Sequence, residues 1–184
     1  MAKVAVLMAE GYEESETITI VDILRRLEIE CHTFYFGNDS FVKGMQGMYI
    51  EAEKPFGDEV KDYDVLVLPG GRPGGQNLKE NPEVIKMVQY FNDHNKYLAA
   101  MCSGTVVLSD AQVITGKKVT GYTGYEEKLI GGIFQDDVVV FDQNIITSQG
   151  PATPYPFAYK IGEVLGKDTS VLRERMLYNY AGGR

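Results

Sequence analysis

Tyr97-Leu98-Ala99-Ala100-Met101-Cys102-Ser103-Gly104 runs as a short apolar strand into a thiol flanked by small residues. Ala100 to Gly104 has the small-x-nucleophile-x-Gly spacing of a nucleophile elbow, with Cys in place of Ser. A sharp strand-to-helix turn is strained and crowded, which is why its neighbours must be small. The turn leaves the nucleophile above the end of a sheet, before the next helix. Partial positive charge at a helix N-terminus favours thiolate over thiol. Cys102 is therefore the first candidate for chemistry, and a strand that ends in such an elbow implies an α/β sheet around it.

The rest of the chain agrees. Val4 to Met8 is a continuous apolar run, as in a parallel strand covered on both faces. Ile20, Ile23, Leu24 and Leu27 recur at helical spacing and predict a helix from Glu14 to Leu27. Cys31 to Phe36 reads as a second strand, and Phe41 to Glu53 as a pair of short strands. Val65 to Leu68 is a buried strand that stops at Pro69-Gly70-Gly71, and Pro82 to Asn92 is helical. The elbow helix continues over Thr105 to Ala111. Asp142-Gln143-Asn144 separates two apolar runs as a hairpin turn would. Thr153-Pro154 reads as an N-cap and first helical residue, opening a helix to Leu165. A last helix is expected over Ser170 to Tyr178, with a loose tail over residues 179–184. The expected fold is one domain over residues 1–184, with a mostly parallel sheet and helices on both faces.

Composition narrows the function. The 184 residues carry a formal net charge of −8, with no Lys/Arg cluster to offset it. Nucleic acid and anionic membrane surfaces are unsuitable partners for such a chain. The apolar run at Val4 is too short for a membrane span and lacks a cleavage pattern, so a cytoplasmic protein is expected. Two cysteines in separate elements, Cys31 and Cys102, give no disulfide framework. Cys31 reads as a small apolar strand residue.

Sheets of this kind bind ligands at the carboxyl ends of their strands. Three ends stand out: Glu10-Gly11 with Glu13, Glu14 and Glu16 beyond it, then Gly70-Gly71, then Cys102. Acidic residues in a first helical turn usually answer the helix dipole, which is the default for at least two of the three glutamates. Gly70-Gly71 permits close backbone approach, as an oxyanion pocket needs. Gly74-Gly75 reads as loop flexibility, and the stretch lacks a dinucleotide fingerprint, so no cofactor is expected. His32 and His94 both precede Cys102 and read as surface or structural residues, and no Cys/His spacing suggests zinc.

Several separated motifs together resemble the ThiJ/PfpI superfamily. They are Leu68-Pro69-Gly70-Gly71 with Gln76-Asn77-Leu78, Ala99 to Gly104, Lys118-Val119-Thr120, and Thr147 to Pro151. Glu10 to Thr17 at the front makes the match closest to the branch of the Parkinson-associated deglycase. The resemblance implies a flavodoxin-like three-layer sandwich, usually a homodimer, with a redox-sensitive Cys on the elbow. That position falls on Cys102, and the glutamate that shares its proton falls on Glu16. The oxyanion-type amides fall on Gly71 and Ser103. The implied activities are a cofactor-free glyoxalase acting on small 2-oxoaldehydes, a deglycase, or an oxidative-stress sensor or chaperone. Two departures matter. Where many members carry a histidine near the thiol, this chain has Tyr122, a hydrogen-bond donor whose ordinary pKa of about 10 makes it a poor base. Ser103 stands where the protease-like branch has His after the nucleophile, so a hydrolase triad is not expected.

Overall fold

The computed structural model describes residues 2–182. Its elements in chain order are strand β1 (Lys3–Met8), helix α1 (Glu14–Arg26), and strands β2 (Glu30–Tyr35), β3 (Phe41–Lys43), β4 (Tyr49–Glu51), β5 (Lys54–Pro55) and β6 (Val65–Leu68). Helices α2 (Gly74–Glu80) and α3 (Pro82–Asp93), strand β7 (Tyr97–Met101) and helix α4 (Thr105–Asp110) follow. Strands β8 (Lys118–Val119), β9 (Ile133–Phe134), β10 (Val139–Asp142) and β11 (Ile145–Ser148) lead to helices α5 (Pro154–Val164), α6 (Ser170–Arg175) and α7 (Tyr178–Ala181).

The main sheet runs β10-β11-β7-β6-β1-β2-β5. Every pairing in it is parallel except β10–β11, the predicted hairpin. Side chains alternate between its faces. Val4, Val6, Val65 and Val67 pack with Ile20, Ile23 and Leu24 of α1 and with Phe157 and Ile161 of α5. Ala5, Leu7, Leu66 and Leu68 pack on the other face with Val84, Val88 and Phe91 of α3 and Val107 and Leu108 of α4. The result is the expected three-layer α/β sandwich. Burying an Ile or Leu contributes about 1.5–3 kcal/mol. Packing of this kind, more than intrinsic propensity, holds helices as short as these.

Helix starts place the site. Glu13 caps α1 by accepting the Glu16 amide at 2.7 Å. Asn81 caps α3 by accepting the Glu83 amide at 3.0 Å, with Pro82 in the first turn. Thr153 precedes α5 as expected, but its side chain does not cap the helix. Its Oγ1 instead accepts the Gly150 amide and meets Ser148 Oγ at 2.7 Å.

Three sequence expectations change. Gly74 and Gly75 do not loosen a loop: they open α2, packed on the turn after β7. The last predicted helix is broken at Leu177, whose φ of +55° separates α6 from α7. The stretch expected as a loose tail is helical as far as Ala181, and residues 183 and 184 lie outside the described residues. No helix among the described residues is long and apolar enough to cross a membrane.

The topology explains the position of the site. β2 lies on one side of β1 and β6 on the other, so the connections diverge there and open a crevice at the strands' carboxyl ends. β7 is the next strand after β6. The three ends singled out in the sequence are therefore neighbours in space.

Candidate active site

Cys102 follows β7 directly with a φ of +53°, a conformation that non-glycine residues seldom adopt. Such local strain is held by its surroundings and clusters at functional sites. Residues Cys102–Gly104 form a 3-10 turn, and α4 begins only at Thr105. The helix N-terminus therefore lies a turn behind the sulfur. The nearest positive poles are backbone amides: those of Ser103 and Gly71 both donate toward the thiol and pull its pKa down.

Gly71 reaches that position with a φ of +113°, which favours glycine. Ser103 is tied to the same strand end, its hydroxyl donating to the Gly71 carbonyl at 2.9 Å. Gly70 is fixed by contact: a Cβ there would sit 2.6 Å from the Cys102 Cβ and 2.9 Å from its sulfur.

The three glutamates of α1 divide their roles. Glu13 caps the helix and also accepts the Ser15 hydroxyl. Glu14 turns to the β3–β4 loop, where its Oε1 accepts the Gln46 amide at 2.8 Å and the Met48 amide at 3.4 Å. Glu16 is fully buried and turns to the thiol. Its Oε2 accepts the Gly70 amide at 2.7 Å. Its Oε1 has no conventional hydrogen-bond partner.

Burial raises the Glu16 carboxyl to about 7, against the opposing pull of the Gly70 amide and the Cys102 side chain. Burial also pushes the Cys102 thiol up, and a charged Glu16 beside it pushes it further. The pair titrates as a unit. Once one proton has left, the other is shared between carboxyl and sulfur. With that proton on Glu16, the carboxyl O–H donates to the sulfur and the two amides stabilise a thiolate. Burial drives the Cys31 thiol in β2 up to about 12 as well; what sets Cys102 apart is the carboxyl and the two backbone amides that face it.

A cavity of about 190 Å³ lies in front of Cys102. Gly71, Ser103, Arg72, Met45, Tyr122 and Tyr125 contribute to its wall. Cys102 is 8% exposed and Tyr122 38% exposed. The sequence brought Cys102, Glu16, Gly71, Ser103 and Tyr122 forward, and the fold gathers them here. It did not bring forward Arg72, Met45 or Tyr125, which come from loops with no local pattern. Neither histidine lines the cavity. His32 Nδ1 lies 2.9 Å from the Tyr63 hydroxyl, and His94 stacks on Tyr90. Among the described residues no group of three or more His, Cys, Asp or Glu is placed to hold a metal ion.

This fold is shared with known proteins. The DJ-1/PfpI family model matches residues 2–164. The chain belongs to the DJ-1/PfpI family. Protein dj-1beta of Drosophila melanogaster is 35% identical over 167 residues, covering 89% of each chain. The glutathione-independent glyoxalase DJ-1 of Schizosaccharomyces pombe is 31% identical over 180 residues, covering 91% of this DJ-1/PfpI protein and 94% of the relative. The solved structure of oxidised Toxoplasma gondii DJ-1 superposes with a TM-score of 0.90 at 26% identity, covering 96% and 98% of the two chains.

Proposed function

We propose that this DJ-1/PfpI protein is a cofactor-free glyoxalase that converts small 2-oxoaldehydes, methylglyoxal among them, into 2-hydroxy acids. Deglycase-type action on their adducts is the related alternative. The observation that carries the reading is the buried Glu16 carboxyl set against the Cys102 thiol, with two backbone amides turned on the sulfur. The yeast relative named as a glyoxalase supports it. We place the reaction in the cytoplasm, in a homodimer.

The steps balance without any outside redox partner. The Cys102 thiolate attacks the aldehyde carbon, and the developing oxyanion is held by the Gly71 and Ser103 amides. Removing one such donor costs about 3–4 kcal/mol in well-built sites. Glu16 gives its proton to that oxygen, leaving a hemithioacetal and a carboxylate. The carboxylate takes the C1 hydrogen as a proton, and the electron pair moves into an enediolate. Glu16 returns the proton to C2, while the C1 hydroxyl proton passes to the C2 oxygen. C1 is now oxidised to a thioester and C2 reduced to a carbinol. Water cleaves the C–S bond, restoring the thiolate. Of the two protons released, one returns to Glu16 and one leaves with solvent, so the net reaction adds one water. Tyr122 donates a hydrogen bond at the cavity wall. Without a histidine there, turnover is slow.

Methylglyoxal consumption by wild type and Cys102→Ala tests the scheme. Activity is lost in the variant; an unchanged rate removes the mechanism.

A second reading rests on the buried Glu16 carboxyl held against the Cys102 sulfur. Peroxide oxidises the thiolate in two steps, each transferring one oxygen atom to sulfur and releasing one water, and the resulting sulfinate accepts a hydrogen bond from Glu16. The relative solved in an oxidised form agrees with this redox-sensor role. Intact-mass and peptide analysis after mild peroxide checks it: Cys102 gains two oxygens before Cys31 gains any, and the reverse order rejects it. A chaperone role independent of the thiol would leave full function in Cys102→Ala.

A further inference from the structure

The cavity at Cys102 does not end at the sulfur. At about 190 Å³ it is smaller than the roughly 300–1,000 Å³ of typical ligand pockets. A second cavity of about 460 Å³ shares Gly71, Arg72, Ser103 and Tyr125 with it. The two form one groove that leaves the thiol between α2 and the 3-10 turn Glu126–Lys128. That is more room than a three-carbon aldehyde fills.

Charges along the groove are mostly answered locally. Lys79 pairs with Asp110 at 3.6 Å. Lys128 sits 3.9 Å over the Tyr125 ring, next to Glu127 in sequence. Glu13, at the cavity rim, has one oxygen occupied by the Ser15 hydroxyl and the Glu16 amide at the positive end of α1. Arg72 is the exception. It lines both cavities, is exposed, and its guanidinium has no ion pair or hydrogen bond among the described residues. Its backbone is held in place, the amide donating to Met45 Sδ at 3.3 Å, directly after the Gly71 amide that faces the sulfur. A rigidly placed main chain thus carries an unanswered guanidinium at the junction of thiol and groove. A guanidinium fork matches carboxylate and phosphate oxygens in pairs.

Building on the glyoxalase reading, we propose that Arg72 is a specificity-determining residue, and that the preferred substrates are 2-oxoaldehydes whose far end carries a carboxylate or phosphate. The reactive aldehyde lies on Cys102 and the anionic end in the groove on Arg72.

Two measurements test this on the intact chain. The first compares kcat/KM for 4,5-dioxopentanoate and for 3-phosphooxy-2-oxopropanal with that for neutral 2-oxopentanal. Wild type prefers at least one anionic compound by on the order of tenfold or more, and the better of the two identifies the anion. Arg72→Gln brings that ratio toward one, and Arg72→Lys restores part of it. The second reads Cys102 without turnover, as the ratio of its alkylation rates by iodoacetate and iodoacetamide, with Cys102→Ala correcting for Cys31. The ratio falls several-fold in Arg72→Gln. If no 2-oxoaldehyde is consumed, the glyoxalase reading fails, and the alkylation ratio alone decides whether Arg72 selects anions at the thiol. An alkylation ratio unchanged by Arg72→Gln, or a wild type that prefers the neutral aldehyde, overturns the proposal.

Discussion

Gly70 donates its amide to Glu16 Oε2 at 2.7 Å, so the carboxyl that partners Cys102 is anchored to the end of β6. The anchor fixes where the Glu16 proton can go. It holds the carboxyl against the thiol, so that the proton passes between the two or to substrate.

This sets the pH response of the fold. The Glu16 carboxyl moves from an ordinary 4.5 to about 7 on folding, chiefly by burial. The folded state therefore holds this proton more tightly than the unfolded chain. The associated stability is complete below about pH 4.5 and lost as pH rises through about 7, a change of roughly 3 kcal/mol from this group. Urea unfolding of wild type and Glu16→Gln between pH 4.5 and 8 measures the difference. The wild-type curve falls relative to the variant's as pH rises; a relative rise rejects the assignment. Glu16→Gln also loses about 10²-fold or more in turnover, because its amide cannot carry the C1 proton.

Glu14 predicts a different kind of defect. It holds the Gln46 and Met48 amides, and so the loop that carries Met45 to the cavity wall. Glu14→Ala leaves those amides without their acceptor, at a cost of about 1–3 kcal/mol if they stay buried. The expected result is faster hydrogen exchange at Gln46 and Met48 and a raised KM with a smaller change in kcat. Glu14→Gln keeps an acceptor and is milder. Unaltered exchange in Glu14→Ala shows that the loop holds itself.

Tyr122 is where a stronger acid–base group fits. Its ring lines the cavity and packs edge-on to Tyr125, with centroids 5.6 Å apart. Tyr122→Phe lowers kcat only several-fold, since it removes a hydrogen bond and no base. Tyr122→His raises kcat by on the order of tenfold, short of the ~10²–10⁴-fold that a well-aligned acid–base group supplies, because the position is 38% exposed. Stopped-flow turnover across pH 5–9 reads both. A histidine variant without a new ionisation in its profile would remove Tyr122 from the reaction.

The sequence carried the frame because each strand of the sheet's centre is apolar on both faces and each main helix repeats at its own period. It carried Cys102 for a local reason: small residues crowd the elbow. Glu16 was different. Beside Glu13 and Glu14 it looks like one more acid in a first turn, and the family resemblance singled it out. Geometry shows why. Residues two apart on a helix point about 200° away from each other. Glu14 therefore meets the β3–β4 loop while Glu16 faces the core. Gly74 and Gly75 misled because glycine is a poor helix former, and here close packing, of Gly74 on the Gly11–Tyr12 backbone and of Gly75 on Ser103, overrides that preference. β8 and β9 are two residues each, too short to show any period. Arg72, Met45 and Tyr125 meet at the cavity only through tertiary structure.

The amides of Gly71 and Ser103 belong to the main chain, and that shapes how this site can evolve. At Ser103 a side-chain replacement other than proline leaves the donor in place; at Gly71, where a Cβ would sit 2.1 Å from Gly11 O, any side chain must push the main chain aside and so displace the donor. On the proposed mechanism, the oxyanion-stabilising half of the chemistry is thus inherited with the fold. Arg72, Met45, Tyr122 and Tyr125 form a rim that can be rewritten one residue at a time, so new substrates are reachable by mutation without dismantling the reaction.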